Sequence, residues 1–463
     1  MSPVHGRRVE VEDAFISRLS SVSPLVTDAA EVAAASRDWW PLALVWEAEG
    51  TEQATASVVA RPLVAAQVAD VLRIANEARI PVTVAAGRSG VCGGSVPVHG
   101  GVVLDLTALD GIVAVDRESL VLDVLAGTFG TPLEEQLRAE YGVTLGHFPQ
   151  SIDISTVGGW LACRGAGQKS TRYGKIEDMV TALHVVLADG RVVHTGGAPR
   201  AAVGPDLTQL FVGSEGTLGV VTAARLRLVR PATASAVALI GVRDATDALG
   251  LVRSAVPRGV RLLAAEILDA AMLRHVCDVA SLPWPLAGPS DHVLLLETES
   301  PHDGAVAMDL PDDRDAVVAL DAADQARLWS YRERAAEATA VLGVPHRFDV
   351  SVPMGGWDAF VAVLTARLSR LEGITEVLVF GHLADGNLHV EVLGPEPDDE
   401  RADAVVLGTV AEHRGSISAE HGVGRAKAAY LHLSRSSAEI AAMRAVKGAL
   451  DPFGLFNPGA LLL

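Results

Sequence analysis

Three stretches of this chain mix glycine with hydroxyl residues directly beside β-branched runs: AGRSGVCGGS at 86–95, GHFPQSIDISTVGGWLACRGAGQKSTRYGKIEDMV at 146–180 and GSEGTLGVV at 213–221. Segments of this kind end helices and strands, and glycine lets a backbone bring several N–H groups onto one anion. A lone glycine loop is most often a surface turn. Three of them between residues 86 and 221 suggest walls that clamp an elongated, phosphate-bearing ligand by backbone contacts. The first is neither a Walker A loop, lacking Gly-Lys-Ser/Thr, nor a GxGxxG fingerprint, which disfavours an NTPase or an ordinary NAD enzyme.

The residues around these walls predict an α+β unit over 52–231. Val64, Val68, Val71, Leu72 and Ala75 recur at helical spacing after Pro62. IPVTVAA and GGVVLDL read as strands, IVAVDRESLVLDVLAG as strand, turn, strand, and TPLEEQLRAEYG as a short helix stopped by Gly142. Segments 180–196 and 217–229 alternate as strands, the first turning at Asp189-Gly190. A chain of 463 residues exceeds one ordinary core. Three parts are expected: 1–231 (core 52–231), 232–414, and 415–463 with one helix from Ala438 to Leu450. The acidic stretch 301–315 reads as a surface loop.

Lys plus Arg number 38 against 57 acidic residues, a net charge of −19, which disfavours nucleic acid and anionic membrane surfaces as partners. No uninterrupted apolar run reaches the ~18 residues of a bilayer span, and the N-terminal residues do not read as a secretory signal. Cys92, Cys163 and Cys277 include no CxxC pair. A reduced, cytoplasmic protein is expected, with Cys92 and Cys163 as small packing residues.

The sharpest chemical signal is GHLADGNLHVEV at 381–392. Ala384-Asp385-Gly386-Asn387 breaks the strand, and pairing Leu383 with Leu388 would set His382 directly across from His389 on one face. Imidazoles ~5 Å apart can share a divalent cation, or simply sit half-exposed on a hairpin. GSISAEHGVGRAK at 415–427 adds Glu420 beside His421, flanked by glycines. His382, His389 and Glu420 would then form a two-histidine, one-carboxylate site for Zn²⁺ or Mn²⁺, with His421 left as a general base; a structural ion pair for Glu420 is the plainer alternative.

Together the three glycine segments resemble the flavin domain of the vanillyl-alcohol oxidase/p-cresol methylhydroxylase superfamily. The resemblance covers 52–231 and resumes at DPFGLFNPG (451–459). It implies an α+β fold with a two-subdomain FAD-binding domain, a mixed α/β cap over the substrate, and a C-terminal segment returning to the flavin domain. By position, the pyrophosphate loop would be Gly87, Arg88, Ser89, Gly90 and Val91, with Gly93 and Gly94 behind it. The second wall would be Ser151, Thr156, Gly158, Gly159 and Arg164, and the third Glu215, Gly216, Gly219 and Val221. Asn457 would approach the flavin end. Arg88 stands where relatives usually carry a third glycine, and no histidine in the loop offers a covalent flavin link.

The C-terminal motifs resemble the FAD-dependent D-2-hydroxy-acid dehydrogenases, the group of glycolate oxidase subunits, D-lactate dehydrogenases and D-2-hydroxyglutarate dehydrogenases. That resemblance implies metal at the hairpin histidines and Glu420, proton abstraction by His421, and a substrate carboxylate held by Arg332 of LWSYRERAAEA (328–338). Arg347 of HRFDVSVP stands where a second basic residue is usual. Arginine suits this work because its planar fork meets a carboxylate at two points. Ala336 and Glu391 depart from a hydroxyl and an amide found in some relatives, and Glu391 would repel a second carboxylate, favouring a 2-hydroxy monocarboxylate. The electron acceptor stays open between quinone, soluble carrier and O₂, and a homodimer is compatible with the chain. A rival arises because STVGGW and YGKIEDMV are close to alkylglycerone-phosphate synthase, a flavin-dependent transferase. That family uses a run of adjacent histidines, where this chain has His421 alone.

Overall fold

The computed structural model describes all residues except 1–7, 10, 51–53, 199–201, 233, 257–259, 301–307 and 463. Much of the acidic stretch expected to be a surface loop, 301–307, therefore lies outside the described residues, as does the extreme N-terminus. The chain forms two units: residues 1–166, 175–230 and 420–463 make the first, and 167–174 with 231–419 the second.

The first unit holds two sheets. β1 (Leu25–Val26), β2 (Val58–Ala60), β3 (Val82–Ala85) and β4 (Val102–Asp105) form a four-stranded sheet in the order β1-β2-β4-β3. β2 and β3 both run parallel to β4. Their near-continuous burial is what a parallel sheet covered by helices requires. The helix Ala65–Ala78 supplies the crossover from β2 to β3, burying Val68, Val71, Leu72, Ile74 and Ala75 and ending at Arg79 in the left-handed conformation (φ 58°). β5 (Ile112–Asp116), β6 (Val121–Leu125), β7 (Val180–Val186), β8 (Val192–His194) and β9 (Val220–Arg227) form an antiparallel sheet ordered β5-β6-β9-β7-β8. The helix expected from TPLEEQLRAEYG runs Gly130–Gln136, widens into a π turn through Tyr141 and stops at Gly142 (φ 67°).

The second unit is one antiparallel sheet of seven strands: β10 (Ala234–Val242), β11 (Arg261–Asp269), β12 (His292–Ser300), β13 (Ala316–Ala319), β14 (His346–Ser351), β15 (Glu376–His382) and β16 (Asn387–Leu393). Their order is β13-β10-β12-β11-β15-β16-β14. Helices Ala245–Ala255, Ala270–Ala280, Ala322–Glu333 and Glu400–Glu412 each open on an aspartate, at Asp244, Asp269, Asp321 and Asp399, whose side chain accepts a free N–H of the first turn. The sheet and the helices Ala270–Ala280 and Ala322–Glu333 share an apolar core that includes Leu239, Leu273, Leu295, Leu328 and Tyr331.

Two boundaries differ from those expected. Residues 167–174 leave the second glycine segment for the second unit, because Lys169 Nζ reaches Glu297 Oε1 (2.9 Å) and Arg172 Nε reaches Glu299 Oε1 (2.7 Å) on β12. The return to the first unit falls at Glu420 rather than at 415, because Ser416 bridges Ser351 at the end of β14. Among the described residues no helix is long and apolar enough to cross a membrane.

Candidate active site

The glycine walls separate into two kinds of position. A Cβ added to Gly93 would lie 2.6 Å from Trp40, one on Gly158 2.9 Å from the Ala126 carbonyl, one on Gly216 2.9 Å from Asn457 and one on Gly219 2.7 Å from Val185. Gly87 would likewise strike the Ile154 carbonyl. The protein's own packing demands glycine at these five. Gly90 and Gly94 are different: the nearest atoms to their added Cβ are Asp38 Oδ2 at 3.9 Å and Glu215 Oε2 at 4.0 Å, and neither has a positive φ. Space left open where protein does not need it is what the close approach of a ligand backbone predicts. Gly159, whose N–H is capped by Thr156 Oγ1 at 3.3 Å, is similarly exposed.

Strain marks the same walls. Four of the non-glycine residues with positive φ are Arg88 (54°), Arg164 (66°), Glu215 (52°) and Asn457 (40°), all expected at the cofactor. Such conformations cost of order 1 kcal/mol each and persist where the surroundings over-determine them. Arg88 lies 3.4 Å from Asp105, and Arg164 lies 2.7 Å from Glu177. Asn457 is a structural tie: it accepts from Val84 N–H (2.7 Å) and donates to the carbonyls of Glu215 (2.8 Å) and Gly94 (3.3 Å). Ser151 turns the second wall through its carbonyl, which accepts from Ile154 and Ser155. Ser89 and Val91 are half-buried in the first loop, and Val221 is buried in β9.

The segment carrying Glu420 and His421 is stitched onto two of these walls. Glu215 takes the N–H groups of Val423 and Gly424 with its two carboxylate oxygens, each at 2.7 Å. The Cys92 carbonyl accepts from Arg425 N–H (2.8 Å), and the Arg425 guanidinium reaches the Val96 carbonyl at 2.9 Å. A side chain at Gly424 (φ 54°) would meet Cys92 Cβ at 2.6 Å, so only glycine passes there. His421 Nε2 lies 3.7 Å from Glu420 Oε1, with the imidazole 40% exposed. Burial first, then the nearby Glu215 and Glu420, push the Cys163 thiol up to about 12, in keeping with a packing role.

His147 carries a signal that sequence reading passed over. It is 2% exposed, packs edge-on to Trp160 at 4.7 Å, and neither ring nitrogen has a hydrogen-bond partner among the described residues. Burial depresses its pKa from 6.5 to about 4, Lys175 assisting and Glu420 opposing. The unfolded chain therefore takes this proton between about pH 6.5 and 4 while the folded one does not, so stability falls as pH falls through that window, by up to about 3 kcal/mol. Urea unfolding of the wild type should show this acid loss between pH 7 and pH 4.5, and His147→Leu should flatten it; an unchanged slope would place the titration elsewhere.

In the second unit one sheet face gathers the metal-type ligands, with a corrected register. His382 pairs with Asn387 and His389 with Phe380, so the histidines are diagonal rather than directly opposed. A 3-10 turn at Leu383–Asp385 closed by Gly386 (φ 67°) consumes residues that the expected Leu383–Leu388 pairing would have left in the strands. They still share a face, since residues two apart on a strand point the same way, and their rings are 5.5 Å apart. Asp349, not singled out from sequence, stands opposite His389 on β14, with ligand atoms of the two within 4.8 Å. Asp349 Oδ2 also accepts the Ala419 N–H at 3.1 Å. The alternation of HRFDVS could have exposed it, because Arg347 and Asp349 lie on one face.

Neither predicted arginine is free. Arg332 is fully buried: its Nε donates to Glu266 Oε2 at 2.7 Å, while Nη1 has no partner among the described residues. Glu266 Oε1 in turn meets His382 Nδ1 at 2.5 Å. Burial pushes the Glu266 carboxyl up, but His382 and Arg332 outweigh it and hold it below the ordinary carboxylate value. Arg347 lies 3.2 Å from Glu391 and donates to the Ala336 carbonyl and Thr339 Oγ1. Burial drives Glu391 up to about 7 against the pull of Arg347.

A strained, glycine-lined cradle on two sheets, with an imidazole tied to its walls, defines a flavin-dependent oxidoreductase fold. The chain belongs to the FAD-linked oxidases: residues 56–196 match the FAD binding domain and 232–461 the C-terminal domain of that family. It is 30% identical over 474 residues to a mitochondrial D-2-hydroxyglutarate dehydrogenase of Danio rerio, covering 97% of this chain and 85% of that one. A D-2-hydroxyglutarate dehydrogenase of Xanthomonas citri pv. viticola is 33% identical (87% and 88% covered), and the glycolate oxidase subunit GlcD of Bacillus subtilis 30% (90% and 91%). Among solved structures, p-cresol methylhydroxylase superposes with a TM-score of 0.71 at 17% identity, covering 98% of each chain. An alkyldihydroxyacetonephosphate synthase superposes at 0.73, also at 17% identity, covering 98% of this chain and 86% of that one. Likeness at that identity shows the shared fold and says nothing for the transferase reaction.

Proposed function

We propose that this chain oxidises a D-2-hydroxy acid to the 2-oxo acid with FAD, and that a divalent cation assists. One observation carries the reading. The run 419–425 is bonded at its start, through Ala419, to Asp349 opposite His389, and at its end, through Val423, Gly424 and Arg425, to the flavin walls. Glu420 follows Ala419 by one peptide and His421 by two, at ~3.8 Å per step. This continuity of chain supports assigning Glu420 and His421 to the proposed site.

The donor set suits a small, borderline cation: His382 and His389 offer imidazole nitrogens, and Glu420 an oxygen, with Asp349 a further oxygen nearby, as Zn²⁺ or Mn²⁺ accepts. When bound, the flavin supplies the hydride acceptor and the cation the Lewis acidity. Arg332, whose buried Nη1 has no partner among the described residues, would hold the substrate carboxylate. His421 takes the hydroxyl proton on a ring nitrogen as the C2–H bond breaks and its electron pair leaves as hydride. His147, buried and held neutral, adds no charge beside Glu420.

The substrate side chain is the finer part of the proposal. Arg347 is already engaged by Glu391, the Ala336 carbonyl and Thr339 Oγ1, which leaves it less available to a second carboxylate, and a monocarboxylate is favoured over the dicarboxylate named for several relatives. Glu391→Gln should free Arg347 and improve kcat/KM for a 2-hydroxy dicarboxylate about tenfold or more, since a charge-assisted hydrogen bond contributes roughly 1.5–3 kcal/mol. The same variant should change little for a short monocarboxylate.

The test is anaerobic mixing of the FAD-loaded protein with a panel of D- and L-2-hydroxy acids. Bleaching of the flavin band by a D-enantiomer is expected; a panel that bleaches nothing removes the proposal. Product from an acyl-glycerone phosphate and a fatty alcohol would instead revive the transferase.

A further inference from the structure

Glu266 lies at the centre of β11, 1% exposed, with no part in any motif read from the sequence. Its two carboxylate oxygens are divided between two partners: Oε2 accepts from Arg332 Nε at 2.7 Å, and Oε1 meets His382 Nδ1 at 2.5 Å. All three side chains are at most 5% exposed. Strand pairing enforces the second contact, because Glu266 and His382 are direct register partners between β11 and β15. Arg332 is held from its other side by the Phe380 ring, 4.8 Å from the guanidinium carbon.

We propose that Glu266 is a positioning residue: it locks His382 in the tautomer whose Nε2 carries the lone pair, and Arg332 keeps its carboxylate fixed for that task. An ionised carboxylate only accepts hydrogen bonds, so the ring nitrogen facing it must carry the hydrogen. With Nδ1 protonated, Nε2 is the nitrogen able to bind a cation. The same carboxylate orients the guanidinium, so the residue proposed for the substrate carboxylate and one proposed metal ligand are set by a single acid. No neutral side chain can replace it. A glutamine offers one acceptor and one donor; with its oxygen taken by Arg332, its amide N–H faces His382 Nδ1 and favours the tautomer with the hydrogen on Nε2.

This inference rests on the metal-assisted reading above, and the experiment separates their failures. Zn²⁺ affinity of the full-length, FAD-loaded protein is measured by competition with a chromophoric chelator for wild type, Glu266→Gln and Glu266→Asp. Loss of an outer partner of a ligating histidine typically costs 10–100-fold in affinity; that loss is expected for Gln, with partial recovery for Asp, which keeps the carboxylate. In parallel, ¹⁵N-histidine NMR of the metal-free protein, with His382→Asn to assign the signal, reports the tautomer directly. Wild type should show Nδ1–H, and Glu266→Gln a shift toward Nε2–H. A wild type in the Nε2–H form overturns the proposal, as does a Gln variant matching wild type in both affinity and tautomer. A wild type that binds no Zn²⁺ defeats the metal reading instead, while the tautomer measurement still decides Glu266 and requires no variant to bind metal.

Discussion

Replacing His421 with Asn should yield a protein that keeps its FAD and is reduced by its hydroxy acid about 10²–10⁴-fold more slowly, the usual contribution of a positioned general base. The expectation follows from how the residue is held. Its neighbours Val423 and Gly424 are fixed by Glu215, and Arg425 by Cys92, whereas the imidazole itself is 40% exposed. Substitution should therefore remove proton transfer without loosening the cradle. Rapid-mixing absorbance under anaerobic conditions measures the reduction rate, and the flavin spectrum measures occupancy. Wild-type reduction rates in the Asn variant would remove His421 from the chemistry; lost FAD would make it structural.

Stripping divalent cations with a strong chelator should suppress substrate-driven flavin reduction by about 10²–10³-fold or more, because Lewis-acid polarisation supplies several kcal/mol of transition-state stabilisation. FAD should stay bound, since the walls proposed to hold it, at Gly90, Gly94 and Gly159, include neither His382 nor His389. Adding Zn²⁺ or Mn²⁺ should restore the rate. His389→Ala should match the chelated protein and resist rescue, since it deletes a ligand rather than the ion. Full activity after metal removal, verified by elemental analysis, would reduce the face to an ordinary hairpin surface.

Much of the glycine-rich wall structure was legible in the sequence. Gly93, Gly158, Gly216 and Gly219 are needed by close packing, and Gly90 and Gly94 leave open approach, yet both needs select the same residue, so the walls stand out as glycine clusters whichever need applies. The hairpin was legible as a same-face histidine pair but misread in register. A 3-10 turn and a two-residue slip are both compatible with GHLADGNLHVEV, and the slip preserves the face because side chains alternate with period two. Asp349 and His147 were missed for different reasons. Asp349 reaches His389 only through the pairing of β14 with β16, whereas His147 is indistinguishable from any other histidine until its burial is known.

Taken by itself, the order of residues determined what depends on near neighbours: where glycine must turn the chain, which strands alternate, where a helix follows Pro62, and that two histidines share a face. Tertiary structure alone decided who answers each buried charge. Glu266 and His382 are separated by 116 residues and meet only because β11 pairs with β15, and Arg347 meets Glu391 only because β14 pairs with β16. The reason is electrostatic. A charge inside the protein must find its partner within a few ångströms or pay heavily in lost hydration, and those ångströms are measured across the sheet, not along the chain.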